Sequence, residues 1–189
     1  MNQLWQFWHA SLSDAQVQSI IDIGDQYPTA DAGLGFDGST FNNDARSSEI
    51  RWINPNDGQS RFVTETLWYY ANEANRNAFG FDINYLPDIQ YTKYTAEQKG
   101  KYDWHCDTFW ANPTAYDRKL SIVIQLSDPS DYEGGDFELD SQYAQVPADQ
   151  IKAKGSVLVF PSFLNHRVTP ITKGERRSLV SWIQGPKFR

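Results

Sequence analysis

The segment Tyr102-Asp103-Trp104-His105-Cys106-Asp107 places an imidazole and a carboxylate two residues apart. On a β-strand, side chains two apart leave the same face, so His105 and Asp107 are expected to point together. The chain has three histidines, His9, His105 and His166. His166 lies in a second strand-like segment, and with it the set becomes two imidazoles and one carboxylate. That donor set makes a facial metal site suited to non-haem Fe(II), with three coordination positions left open. Taken alone, His105 would read better as a hydrogen-bonded strand histidine; its company with Asp107 and His166 decides for ligation. His9 sits in an amphipathic aromatic segment and reads as a surface or packing residue. Cys106 falls on the opposite strand face from its neighbours and reads as packed.

A metal with open positions can hold a chelating co-substrate, and a dicarboxylate would need a cation some way from the metal to hold its far end. Arg176 stands ten residues beyond His166, and a guanidinium pairs bidentately with a carboxylate. Strand parity separates it from its neighbour. Arg176, Ser178, Val180 and Trp182 share one face, whereas Arg177, Leu179, Ser181 and Ile183 share the other. The first face, with a cation, a small hydroxyl and a Trp, reads as a pocket wall.

Around this nucleus the pattern changes along the chain. Ser13-Asp14-Ala15-Gln16 reads as a capping box, followed by a Val17, Ile20, Ile21 stripe and a stop at Gly24. Residues about 28–48, with Gly33, Gly35 and Gly38, read as a long loop of the kind that often carries function. Arg51 to Ile53 is a possible short strand. A second helix is predicted over about 60–78, with Val63, Leu67, Tyr70, Ala71, Ala74 and Ala78 on one face and Gly80 ending it. From Pro87 onward the period is that of strands. Leu120, Ile122, Ile124 and Leu126 alternate with Ser121, Val123 and Gln125. Gly134-Gly135 reads as a turn leading into Asp136–Leu139, Gly155 leads into Ser156–Phe160, and Arg176–Ile183 forms the last strand. Helices followed by many short strands predict one α+β domain over 1–189, mainly β. Its N-terminal support covers about 1–85 and its catalytic β core about 86–189.

Composition narrows the function classes. At 189 residues with 40% hydrophobic and 22% charged content, the chain suits one globular domain. A formal charge of −7 argues against tight nucleic-acid binding, which rests on Lys and Arg neutralising phosphates. One cysteine excludes an internal disulfide framework and fits a reducing compartment. No basic region followed by an apolar run marks a signal peptide. No apolar stretch approaches the roughly 20 residues of a membrane helix. A soluble, cytoplasmic protein without a membrane partner is the expectation, with oligomeric state left open.

The motifs taken together carry a family resemblance. His105-Cys106-Asp107, Glu133-Gly134-Gly135-Asp136-Phe137, Gly155 through Ser162, and His166-Arg167-Val168-Thr169-Pro170 continuing to Gly174-Glu175-Arg176 resemble the 2-oxoglutarate/Fe(II)-dependent dioxygenases. The nearest likeness is to their prolyl 4-hydroxylase-like branch, with its bacterial and phage relatives. The ordered match covers roughly residues 87–186. The resemblance implies a double-stranded β-helix, a jelly-roll or cupin-like barrel, holding Fe(II) through His105, Asp107 and His166 as the catalytic centre. It implies 2-oxoglutarate and O₂ as co-substrates, succinate and CO₂ as products, and ascorbate as a reductant. It also implies that Arg176 binds the far carboxylate of 2-oxoglutarate and that Val168 and Trp182 pack in the co-substrate pocket. Tyr94 matches the family's tyrosine before the metal motif. Its spacing to His105 is two residues longer than usual, so Tyr91 and Tyr102 compete for that role. The Asp ligand speaks against the halogenase variant of the fold. Zn²⁺ or Mn²⁺ could occupy the same donors.

Three functions remain open on the residues. A peptidyl-prolyl hydroxylase acting on a protein or peptide partner leads, because the 28–48 and 107–117 loops could fold over an extended chain. A small-molecule hydroxylase on the same core is the second, and a non-catalytic metal-binding or interaction module the third. Trp110 and Arg46 are the candidate substrate contacts, each with a packing role as the alternative; Trp52 is placed with Arg46 as facing the cleft.

Overall fold

The computed structural model describes residues 3–32 and 44–188. Twelve strands appear among the described residues: β1 (Gln6–Trp8), β2 (Thr29–Asp31), β3 (Arg46–Ser47), β4 (Glu49–Ile53), β5 (Ile89–Thr95), β6 (Lys101–His105), β7 (Tyr116–Gln125), β8 (Tyr132–Gly134), β9 (Phe137–Leu139), β10 (Val157–Pro161), β11 (His166–Val168) and β12 (Ile171–Pro186). They form two antiparallel sheets. The larger runs β1-β10-β7-β12-β5-β4-β2, with β8 paired to the start of β12, and the smaller runs β3-β6-β11-β9. The two sheets carry opposite walls of one cleft, the double-stranded β-helix arrangement. Much of the expected 28–48 loop lies outside the described residues. Its two ends are strands: β2 pairs with β4, and β3 pairs with β6.

Helix α1 (Asp14–Asp25) begins as its sequence dictates. The Ser13 hydroxyl accepts from the Gln16 backbone N–H at 3.3 Å, and the Gln16 side chain accepts from the Ser13 N–H at 2.9 Å. Helix α2 (Arg61–Ala74) continues as one wider turn through Phe79 and ends at Gly80, whose φ of 68° suits a residue without a Cβ. Val63, Leu67, Tyr70, Ala71, Ala74 and Ala78 are all buried, as their spacing predicted. With Val17 and Ile20 of α1 they cover the outer face of the larger sheet, meeting Ile122, Ile124, Leu179 and Ile183. No helix of the described residues is long and apolar enough to cross a membrane.

Two sequence expectations change. The N-terminal third is more than helical support, because β1, β2 and β4 extend the larger sheet and β3 extends the smaller one. Gly24 does not stop α1; it lies buried inside it, and a Cβ there would sit 2.7 Å from Cγ of Tyr91. Tyr91 is fully buried and its hydroxyl is tied to Arg177 at 3.1 Å, so the ring has little room to retreat. Gly24→Ala therefore gains up to about 1 kcal/mol of helix propensity but incurs about 1–3 kcal/mol of overpacking. The expected net is a lower urea midpoint with an unchanged slope.

Candidate active site

His105, Asp107 and His166 converge in the cleft, each offering a ligand atom within 4.8 Å of the others. His105 Nε2 lies 3.7 Å from Asp107 Oδ1, and His166 Nε2 lies 3.6 Å from Asp107 Oδ2. With metal–ligand bonds of about 2.1 Å, neighbouring ligands at right angles stand roughly 3 Å apart, so a small contraction closes the set. Both imidazoles are already in the tautomer a metal needs. His105 Nδ1 donates to the Asp103 carbonyl at 2.7 Å and His166 Nδ1 to the Leu164 carbonyl at 3.0 Å, which leaves Nε2 of each as a free lone pair.

The local backbone differs from a simple strand. β6 ends at His105, so Asp107 stands beyond the strand, held by its own N–H to the Ser162 carbonyl at 2.8 Å and by the Ser121 hydroxyl to Oδ2 at 2.6 Å. β11 presents His166 opposite His105, and Val168 opposite Tyr102. Between these pairs one residue of β11, Arg167, thus faces two of β6, Asp103 and Trp104. The extra residue is a bulge, and it brings Tyr102 and His105 together despite their odd spacing.

Electrostatics suit metal capture. Burial, helped by repulsion from His166, pushes the His105 imidazolium down to about 3, so this ring is neutral at ordinary pH. For Asp107, burial alone would raise the pKa. Attraction from His166, His105 and Arg118, with the Ser121 hydrogen bond, outweighs it and holds the group below the usual carboxylate range. Two imidazoles and one carboxylate, all oriented, fit Fe(II).

The space beside this triad amounts to about 480 Å³ including its open mouth. Arg176, Ser178, Val180 and Trp182 of β12 line it; Arg177 instead pairs with Glu175 and Asp25 outside. Arg176 is only 4% exposed, and among the described residues no carboxylate lies within ion-pair distance of it. Beside it lies the Tyr132 hydroxyl, which accepts from Gln125 Nε2 at 2.7 Å. Gly135 leaves room for its stem, since a Cβ there would stand 3.0 Å from Arg176 Cδ. A buried guanidinium without a counter-charge is expensive, so the site is built for an anionic group. That fits the far carboxylate of 2-oxoglutarate.

The three competing tyrosines are now placed. Tyr94 is buried directly across from Arg176 and lines the cavity. Tyr102 lines it too, stacked on His105 with centroids 3.5 Å apart. Tyr91 faces the other way, toward α1 and Arg177. Val168 lines the cavity as well. Arg46 also lines it, but its guanidinium is engaged with Gln90, Ser48 and the Tyr102 ring. Trp110 is not brought into the cavity; 61% exposed, it rests on Phe188 with centroids 5.6 Å apart.

Sequence reasoning missed Tyr132, Gln125 and Arg118. Gln125 was legible as the end of the polar Ser121, Val123, Gln125 face. Arg118 was not. The register irregularity between Ile183 and Gln184 breaks the alternation, so that Arg118 stacks over Trp182 at 4.0 Å while Lys119 turns onto Phe188 at 3.3 Å. The Trp182 indole N–H is buried without a hydrogen-bond partner among the described residues.

Known proteins resemble this chain at both levels. A PKHD-type hydroxylase of Synechococcus sp. (strain CC9311) is 40% identical over 89 residues, 47% of this chain and 38% of the relative. One from Teredinibacter turnerae is 34% identical over 89 residues, 45% and 38% of the two. The chain thus spans well under half the length of the curated relatives it matches. Among solved structures, a Pseudomonas putida prolyl-4-hydroxylase superposes with a TM-score of 0.71 at 19% identity, covering 97% of this chain and 93% of that one. The viral collagen prolyl hydroxylase of Paramecium Bursaria Chlorella virus-1 gives 0.68 at 17%, covering 97% of each. These two similarities carry the fold alone. The family profile matches residues 89–184, over half of the sequence and all three ligand positions with Arg176, and the chain belongs to the 2OG-Fe(II) oxygenase superfamily.

Proposed function

We propose that this chain is an Fe(II)- and 2-oxoglutarate-dependent dioxygenase that hydroxylates a prolyl residue of a protein or peptide, releasing succinate and CO₂. The observation that carries the reading is the pairing, in one cavity, of an oriented His-Asp-His set with a buried, uncompensated arginine. When bound, Fe(II) with 2-oxoglutarate supplies the activation of O₂ and the oxidation of a C–H bond. The chain's own residues do the rest. His105, Asp107 and His166 would hold the metal, while Arg176 with Tyr132 would neutralise and orient the far carboxylate. Val123, Phe137, Phe160 and Val180 form the apolar part of the wall, which keeps water from the reacting atoms.

Two features of the mouth support a substrate rich in hydrogen-bond acceptors. Among the described residues the Trp182 N–H has no acceptor of its own, and an unmatched buried donor costs about 1–3 kcal/mol. Arg118, half-buried over the same ring, likewise forms no ion pair within 4 Å among the described residues. Backbone carbonyls of an extended chain would satisfy both. The half-exposed Trp52, 6.1 Å from Trp182, offers a flat apolar flank for a ring such as proline.

Incubation with Fe(II), 2-oxoglutarate, O₂ and a panel of proline-containing peptides is expected to give products heavier by one oxygen atom, matched mole for mole by succinate. Turnover confined to free metabolites, with every peptide unmodified, would overturn the peptidyl assignment while leaving the oxygenase assignment standing.

A further inference from the structure

The metal ligand His105 is half of a stack whose other members play no part in the proposed chemistry. Tyr102 lies against it at 3.5 Å between centroids, with the planes only 13° apart. The Arg46 guanidinium carbon lies 4.5 Å from the centre of the same phenol ring. Arg46 and Tyr102 are direct cross-strand neighbours, the pair that β3 makes with β6. The bulge opposite His166 and Val168 then places His105 on the face of Tyr102.

Among the described residues Arg46 is held at further points. Its Nη2 donates to Gln90 Oε1 at 2.6 Å and its Nε to Ser48 Oγ at 3.1 Å. Gln90 belongs to β5 of the larger sheet, so the guanidinium ties that sheet to the smaller one that carries the histidines. The side chain is buried, at 7% exposure. A cation with its donors turned to Gln90 and Ser48 and its face on a ring is poorly disposed to grip a substrate.

We infer that Arg46 and Tyr102 are positioning residues for the metal: the Arg46–Tyr102 stack fixes the plane of the His105 imidazole so that Nε2 aims at the site shared with Asp107 and His166. The Asp103 carbonyl bond sets which nitrogen faces the metal, but one hydrogen bond leaves the ring free to swing about it. The stacked phenol removes that freedom, and Arg46 locks the phenol through its cation–π contact and its anchors on β5. This role departs from substrate binding for Arg46 and from co-substrate binding for Tyr102. It rests on the metal-centre reading given above.

Titration with Co(II), followed by its visible absorption bands, reads both affinity and ligand geometry without turnover. Tyr102→Leu and Arg46→Met are expected to weaken Co(II) binding by about 10–100-fold, the usual effect of losing a residue that orients a ligand, and to alter the band pattern. Tyr102→Phe keeps the ring and is expected to match the parent. Arg46→Lys keeps the charge without the planar stack and is expected to recover part of the loss. Thermal unfolding of the metal-free forms separates a local change from a global one, and Tyr102→Leu serves if Arg46→Met does not fold. Wild-type affinity and bands in both Tyr102→Leu and Arg46→Met would overturn the inference. An effect of Tyr102→Phe as large as that of Tyr102→Leu would also overturn it, because the hydroxyl and not the ring would then be at work. Failure of the parent chain itself to bind Co(II) through this set would instead remove the metal-centre reading, and the inference with it.

Discussion

Asp107→Ala is expected to abolish 2-oxoglutarate turnover and to weaken metal binding by more than ~100-fold, beyond the loss of an outer hydrogen-bond partner. The carboxylate is the one anion of the donor set, and its two oxygens face the two imidazoles separately, Oδ1 toward His105 and Oδ2 toward His166. Without it, two neutral rings remain to hold a divalent cation. The fold should survive the change. In the metal-free protein the change gives up attractions that outweigh the desolvation of the carboxylate, so the thermal midpoint should fall somewhat, while the Ser121 hydroxyl keeps the Ser162 hydroxyl at 3.0 Å as a partner. The checks are succinate release, metal content after dialysis and the thermal midpoint. A folded variant that keeps full turnover would refute the ligand assignment.

Arg176→Ala is expected to act on the opposite end of the cavity. It should raise the apparent KM for 2-oxoglutarate roughly 10- to 150-fold, the equivalent of about 1.5–3 kcal/mol for a hydrogen bond to a charged group. The loss should fall mainly on binding, with kcat changing less, because the far carboxylate is held equally before and during reaction. Arg176→Met separates charge from bulk, since it keeps a stem to fill the space beside Gly135 and removes only the guanidinium. Arg177→Ala is the control. Its guanidinium lies on the other face of β12, bonded to Glu175 at 2.6 Å and to Tyr91 at 3.1 Å, and its removal should leave the KM for 2-oxoglutarate unchanged. The reverse pattern would mean that β12 is read one residue out of register.

These two residues also mark how far a sequence reading reaches. Arg176 was legible because β12 is regular from Arg176 to Ile183, and parity along an unbroken strand assigns faces without further information. The triad was legible from residue types, although the supposed reason for Asp107 was incomplete. Its placement depends on Ser162 and Ser121, which are 55 and 14 residues away, and such contacts leave no local pattern. Bulges hid more. The one in β6 puts Tyr102 on His105, and the one opposite Ile183 turns Arg118 toward the cleft, each against the alternation that the sequence displays. Gly24 was misread for a related reason. A glycine near a helix end looks like a stop, and only the packed ring of Tyr91 reveals that it is there for clearance. Tyr132, held by Gln125 beside Arg176, sits where β8 leaves a short helical turn, with no periodicity to flag it.

Whether one cavity holds metal and 2-oxoglutarate together is tested most directly by calorimetric titration of 2-oxoglutarate into the protein under anaerobic conditions, with and without Mn(II) as a redox-stable stand-in for Fe(II). The geometry predicts a single site that is tight only when the metal is present, lost in Asp107→Ala and weakened in Arg176→Ala. Binding that is equally strong without metal, or no binding with it, would contradict a shared site built from His105, Asp107, His166 and Arg176.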